Sequence, residues 1–271
     1  MKALILGGTT EATALARLLG GHPRIDAAVS LAGRTKQPVL PPLPTRIGGF
    51  GGVDGLAAHL VENGIGAVVD ATHPFADQIS ANAAAACARV RVPLLVLTRK
   101  PWIPGEGDRW IGVPDMAAAA EALRPLGESV FLTIGRQEVA AFEAVPDKRY
   151  LIRAVDPPAP APKLPDYRLI LDRGPFALEG ECALLEEHRV EVIVSKNSGG
   201  TATEAKLEAA RRRGISVVMV DRPKGNGVAE VHAAAAALAW LEALSSRAPL
   251  PTSPRCAGGG VNSLPCGAGE G

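Results

Sequence analysis

Short runs of branched apolar residues alternate with helix-forming segments from residue 3 to residue 244, and this alternation restricts the chain more than any other feature. Consecutive strands separated by a helix pair in parallel, because a parallel pair needs a long crossover and the crossover helices then cover both sheet faces. Periodicity predicts strands at 3–6, 27–31, 67–70 and 94–97, separated by helices over 11–19, 54–62 and 77–89. Gly20-Gly21 and Asn63-Gly64 stop the first two of these helices. After the loop "RKPWIPGEGDRW" the pattern restarts with Pro114 and Asp115, which open an Ala-rich helix ending near Gly127. Strands follow at 130–133, 150–155 and 168–171, with a short helix after Arg136 and a longer one over 177–188. The strand "VEVIVS", a helix over 201–213, a strand over 216–220 and a last helix over 230–244 complete the pattern. The expected fold is α/β, with two doubly wound, Rossmann-like parallel-sheet domains and a cleft between them. The first domain is expected over 1–105 and the second over 106–246.

Two stretches fall outside the periodicity. "DPPAPAPKLPD" (156–166) is too rich in proline for a sheet interior and reads as an extended surface connection. Residues 247–271 are Gly, Pro and Ser with almost no apolar pattern, too little to offset the entropy of ordering, so a disordered tail is expected there.

Charge and composition exclude several classes of function. Lys plus Arg number 29 against 28 Asp plus Glu, so there is no basic excess for a nucleic-acid backbone. The longest apolar stretch, "VHAAAAALAWLEAL", is shorter than the roughly 20 residues that span a bilayer. The N-terminus lacks the long apolar core and small-residue cleavage site of a secretory signal. A soluble, cytoplasmic protein with no nucleic-acid or membrane partner is expected, working as a monomer. Cys87, Cys182, Cys256 and Cys266 are scattered without a C-x-x-C pair, so no metal site is expected.

The first stretch that carries chemistry is "ILGGTTEA", where a strand runs through Gly7 and Gly8 into a helix. Unpaired N–H groups at a helix start, the positive end of its dipole and a glycine turn together suit a phosphate. The dinucleotide fingerprint is only partly met, since Thr9 stands at its second glycine position and Ala12 at its third. The second strand runs out into "LAGRTKQP" with no carboxylate for a ribose, and Arg34, Thr35 and Lys36 instead suit the 2′-phosphate of NADP. "GGFGG" (48–52) and "DATHPFA" (70–76) fall at the same sheet edge. The coenzyme set is thus Gly7, Gly8, Thr9, Thr10, Glu11, Gly33, Arg34, Thr35, Lys36, Gly49, Phe50, Gly51 and Thr72. Thr72 and His73 are expected beside the nicotinamide as the catalytic pair, with His73 more suited to orienting than to donating a proton.

In the second half "VSKNSGGTATEA" repeats the chemical type of the opening turn, with Thr201 as the expected helix cap and Glu204 three residues on. Arg136, Arg153, Arg173, Arg222 and Lys224 stand at other expected strand ends, and so many cations suit a ligand with several carboxylates. The substrate set is Arg99, Lys100, Arg136, Lys196, Asn197, Ser198, Gly199, Gly200 and Arg222.

Taken in order, "ILGGTTEA", "DATHPFA", "LTRKPW", "RGPF", "SKNSGG" and "DRP" give the chain a resemblance to the precorrin-6A reductases, over residues 1 to about 246. The resemblance implies NADPH-dependent reduction of a ring double bond in a polycarboxylated tetrapyrrole, precorrin-6A, to give precorrin-6B in cobalamin biosynthesis. A short-chain dehydrogenase would need Tyr-x-x-x-Lys, but Ala154 and Leu171 lie four residues after Tyr150 and Tyr167. A non-enzymatic NADP-binding redox sensor, or another NADP-dependent reductase of a polycarboxylate, are the alternatives. The basic second half speaks against the sensor.

Overall fold

The computed structural model describes residues 1–33, 40–225 and 227–247. Two parallel sheets form among them. The first half contributes β1 (Lys2–Leu6), α1 (Thr10–Leu19), β2 (Asp26–Leu31), β3 (Thr45–Ile47), α2 (Gly52–Glu62), β4 (Ile65–Asp70), α3 (Asp77–Val90) and β5 (Leu94–Leu97). The second contributes β6 (Trp110–Val113), α4 (Met116–Ala122), β7 (Ser129–Thr133), β8 (Arg149–Ala154), β9 (Tyr167–Leu171), α5 (Leu178–Glu187), β10 (Val192–Lys196), α6 (Ala205–Arg213) and β11 (Ser216–Val220). The chain ends with β12 (Glu230–Val231) and α7 (Ala234–Arg247).

The first sheet has the order β12-β5-β4-β1-β2-β3 and the second β6-β11-β10-β7-β8-β9. All the pairings are parallel. Both faces of each sheet are covered, which explains strands that are apolar throughout rather than alternating. In β1, Ala3 and Ile5 pack toward α1 and α7, while Leu4 and Leu6 pack toward α2 and α3. In β7, Val130 and Leu132 pack toward α4, and Phe131 packs toward α5 and α6.

The expected domain boundary needs one correction. Residues 230–246 are expected in the second domain, yet β12 pairs with β5 and α7 packs Ala237 and Leu241 into the core of the first sheet. The chain therefore crosses between the sheets twice, between β5 and β6 and between β11 and β12. Sequence periodicity does not record this return, because an apolar helix face carries no label for the sheet it will cover. The expected helix over 201–213 is also shorter: Thr201–Thr203 form a 3₁₀ turn and α6 starts at Ala205, without a side-chain cap from Thr201.

Candidate functional site

A doubly wound sheet opens a crevice where its strand order reverses. In the first sheet that point lies between β1 and β4, so the loops Gly7–Thr9 and Ala71–Phe75 face each other there. Thr9 joins them: its hydroxyl donates to the Ala71 carbonyl at 2.8 Å and accepts from the Ala12 amide at 3.2 Å, capping α1. The Thr13 amide bonds the Thr9 carbonyl. The amides of Thr10 and Glu11 stand at the helix start, where no intrahelical acceptor exists.

The glycines divide into two kinds. A Cβ at Gly7 would come within 2.8 Å of Val29 Cγ1, and one at Gly33 within 3.1 Å of Ile47 Cγ2, so these positions serve packing. At Gly8, Gly48, Gly49, Gly51 and Gly52 an added Cβ would meet no atom within 4 Å. These five border open space near the carboxyl edge. Arg46 braces the 48–52 loop, donating to the Gly48 and Gly49 carbonyls at 2.8 and 3.1 Å and lying 4.0 Å over the Phe50 ring. Arg34, Thr35 and Lys36, the expected 2′-phosphate set, lie outside the described residues.

Thr72 and His73 follow β4, where expected. The Thr72 hydroxyl donates to Asp70 Oδ1 at 2.7 Å and its amide bonds the same oxygen at 3.1 Å. The Thr72 proton is thus held by a buried carboxylate, leaving the hydroxyl oxygen to accept. Asp70 was legible in principle, since an acceptor two residues before a loop amide makes an Asx turn. His73 Nδ1 accepts from the Phe75 amide at 3.2 Å, so the ring hydrogen of the neutral form sits on Nε2. Burial, and then the positive charges of Arg99, Lys196 and Arg222, push the His73 pKa down to about 3. The imidazole is neutral at physiological pH.

That electrostatic environment gathers residues from distant parts of the sequence around His73. Lys196, at the end of β10 and the switch point of the second sheet, bonds Glu138 Oε1 and lies 5.2 Å from the Phe75 ring centroid. Arg99 lies 3.9 Å from Glu11 in the first turn of α1, and its Nε is buried with no hydrogen-bond partner. An orphaned buried donor costs about 1–3 kcal/mol, which an arriving carboxylate or phosphate oxygen would recover. Glu138 carried no sequence signal, because only the chain turn after β7 brings it to Lys196. Arg136 lies half-buried on that same turn, after Gly135.

The loop "SKNSGG" departs from the expected anion turn. A Cβ at Gly199 would overlap the Lys100 carbonyl, and one at Gly200 would approach Arg99 Cδ to 2.6 Å. These glycines therefore receive the crossing chain. The Asn197 side chain accepts from the Trp102 amide at 2.8 Å and donates to the Trp102 carbonyl at 3.0 Å. Arg222 donates to the carbonyls of Asn197, Arg99 and Ser198 at 2.8, 2.8 and 2.9 Å. The Ser198 hydroxyl bonds the Lys196 carbonyl, and Lys100 is exposed. Arg153, expected at an open strand end, is instead 7% exposed, paired with Glu181 and stacked 3.6 Å from the Phe176 ring centroid. Among the described residues no group of three or more His, Cys, Asp or Glu could hold a metal ion, and no helix is long and apolar enough to cross a membrane.

Comparison with known proteins gives a consistent result. The profile of the family described as "Precorrin-6x reductase CbiJ/CobK" matches residues 2–242. A precorrin-6A reductase of Rhodococcus erythropolis is 51% identical over 247 residues, covering 91% of this chain and 99% of its own. One from a Sinorhizobium species is 53% identical over 223 residues, covering 82% and 85%. A solved structure titled "CobK precorrin-6A reductase" superimposes with a TM-score of 0.85 at 47% identity, covering 90% of this chain and 97% of that one.

Proposed function

The chain belongs to the precorrin-6x reductase family, and from that membership we propose that it reduces precorrin-6A to precorrin-6B in cobalamin biosynthesis, with NADPH as the hydride donor. It is an oxidoreductase of that pathway; the choice of coenzyme and the residue roles are our own reading. The observation that carries this reading is the placing of Lys196 beside Phe75 and of Arg99 beside Glu11, the two cations around the neutral His73 that are not spent on backbone, near the open glycines of the carboxyl edge. Cations on one side and open glycine backbone on the other suit a polycarboxylate next to a phosphate-bearing coenzyme.

When bound, the coenzyme supplies a hydride, so the protein's task is to bring two carbons together and hold them. Gly8 and the α1 start offer backbone amides to phosphate, and Gly49, Phe50 and Gly51 border the same edge. Arg34, Thr35 and Lys36 would read the 2′-phosphate. Thr72, fixed by Asp70, keeps an acceptor at the end of β4. Arg99, whose buried Nε has no hydrogen-bond partner, and Lys196 would take the substrate carboxylates. His73 keeps its hydrogen on Nε2 as a neutral hydrogen-bond donor and orienting group.

Both walls of the cleft come from one chain, so a monomer suffices in this reading. The test is turnover of precorrin-6A with purified protein, following loss of reduced nicotinamide and a mass gain of two hydrogens in the tetrapyrrole. Coenzyme binding without turnover would favour the redox-sensor alternative.

A further inference from the structure

Side chains from the two interdomain crossings meet on one loop, Lys196 to Gly200. In the crossing after β5, the Trp102 backbone makes a paired amide interaction with the Asn197 side chain, and Trp102 Nε1 donates to the Gly200 carbonyl at 3.1 Å. In the crossing after β11, Arg222 spends Nε, Nη1 and Nη2 on three carbonyls, two in this loop and one, Arg99, in the other crossing. Gly199, at φ +69, admits the Lys100 carbonyl where any side chain would block it. The loop amide of Asn197 is itself tied to the Val220 carbonyl at 2.9 Å, so the assembly is anchored to β11.

These bonds have a common character. Apart from the Asn197–Val220 backbone bond, each joins a side chain to a backbone group of a different segment, so they fix the path of the chain rather than a side-chain rotamer. Three charge-assisted donations from one planar guanidinium also specify direction, which an ammonium cannot do.

We propose that Asn197 and Arg222 are positioning residues that fasten both crossings to the Lys196–Gly200 loop, fix the angle between the two sheets, and so set the distance over which hydride passes. This rests on the reductase reading above, with the coenzyme on the first sheet and the tetrapyrrole gripped between the sheets. It moves both residues out of the substrate-contacting set: the Asn197 amide is spent on Trp102, and Arg222 serves chiefly the backbone. Lys196 and Arg99 remain as the cations facing substrate.

The test separates charge from geometry. Arg222→Lys keeps the positive charge but cannot serve three carbonyls, and Asn197→Ala removes the clasp on Trp102. Both are expected to lower kcat about ten- to a hundredfold, the scale of an ångström-sized misplacement, and to leave the KM for NADPH unchanged. The isotope effect from NADPH deuterated at the transferred position should rise, because hydride transfer becomes limiting. Amide exchange at Trp102 should accelerate in Asn197→Ala. A wild-type kcat in Arg222→Lys, or faster Trp102 exchange with kcat and isotope effect unaltered, would overturn the proposal. If the wild-type protein does not reduce precorrin-6A, the reductase reading fails instead. In that case Trp102 exchange and the solution scattering profile still decide whether the loop fastens the sheets: exchange and profile unmoved in both variants would overturn it.

Discussion

The Lys196 ammonium, at the end of β10 in the second sheet, lies 5.2 Å from the centroid of the Phe75 ring, which belongs to the loop after β4 in the first. Phe75 also packs against the core of the second sheet, so the two carboxyl edges meet at this pair. Two motifs with 118 residues between them, "DATHPFA" and "SKNSGG", thus meet.

Lys196→Ala is expected to raise the KM for the tetrapyrrole about ten- to a hundredfold, the equivalent of one charge-assisted bond of about 1.5–3 kcal/mol. The KM for NADPH should hardly change. Steady-state kinetics with each substrate varied decides the point, and an unchanged tetrapyrrole KM would show that the ammonium serves Glu138 alone.

His73 gives a pH dependence with a defined sign. Its folded pKa is depressed from 6.5 to about 3, so between those values the unfolded chain binds a proton that the folded chain refuses. Its contribution to stability is therefore complete above 6.5 and is lost as the pH falls toward 3. The Tm should drop on acidification through this window, and His73→Gln should drop less. In catalysis His73→Ala is expected to lose modest rate. A loss beyond the roughly 10²- to 10⁴-fold range of general acid catalysis, with coenzyme binding intact, would contradict an orienting role.

Two glycine substitutions separate folding from binding. Gly199→Ala meets the Lys100 carbonyl and must hold φ +69, so it is expected to cost more than about 2 kcal/mol and lower the Tm. An added Cβ at Gly49 meets nothing within 4 Å, and its φ lies outside the left-handed region. Gly49→Ala should keep the Tm and weaken NADPH binding. Calorimetric titration with unaltered affinity would remove Gly49 from the coenzyme site.

Coenzyme choice is expected to rest on Arg34, with Thr35 and Lys36 assisting. Losing its bond to the 2′-phosphate should weaken NADPH about ten- to a hundredfold in Arg34→Ala and leave NADH nearly unaffected. Equal weakening of both coenzymes would show that Arg34 does not read that phosphate.

The sequence by itself determined the α/β class, most of the strands and the opening glycine turn, because these depend on local periodicity and on backbone chemistry within a few residues. Thr9, Thr72 and His73 fell at strand ends as expected for the same reason. It missed β3 and β12, which have only three and two residues, and β6, whose WIGV is interrupted by Gly112, whereas the unbroken LLVL of equally short β5 registered. Tertiary structure alone decided which glycines border open space and which face protein: Gly8 and Gly199 belong to similar strings, but one borders open space and the other an incoming carbonyl. It also decided that α7 returns to the first sheet, that Glu138 partners Lys196, and that Asn197 and Arg222 serve the crossings. Each of these depends on segments about 25 to 240 residues apart, or on a chain turn that no local pattern encodes. Such contacts are chosen by which surfaces remain to be buried and which donors remain to be satisfied once the sheets have formed.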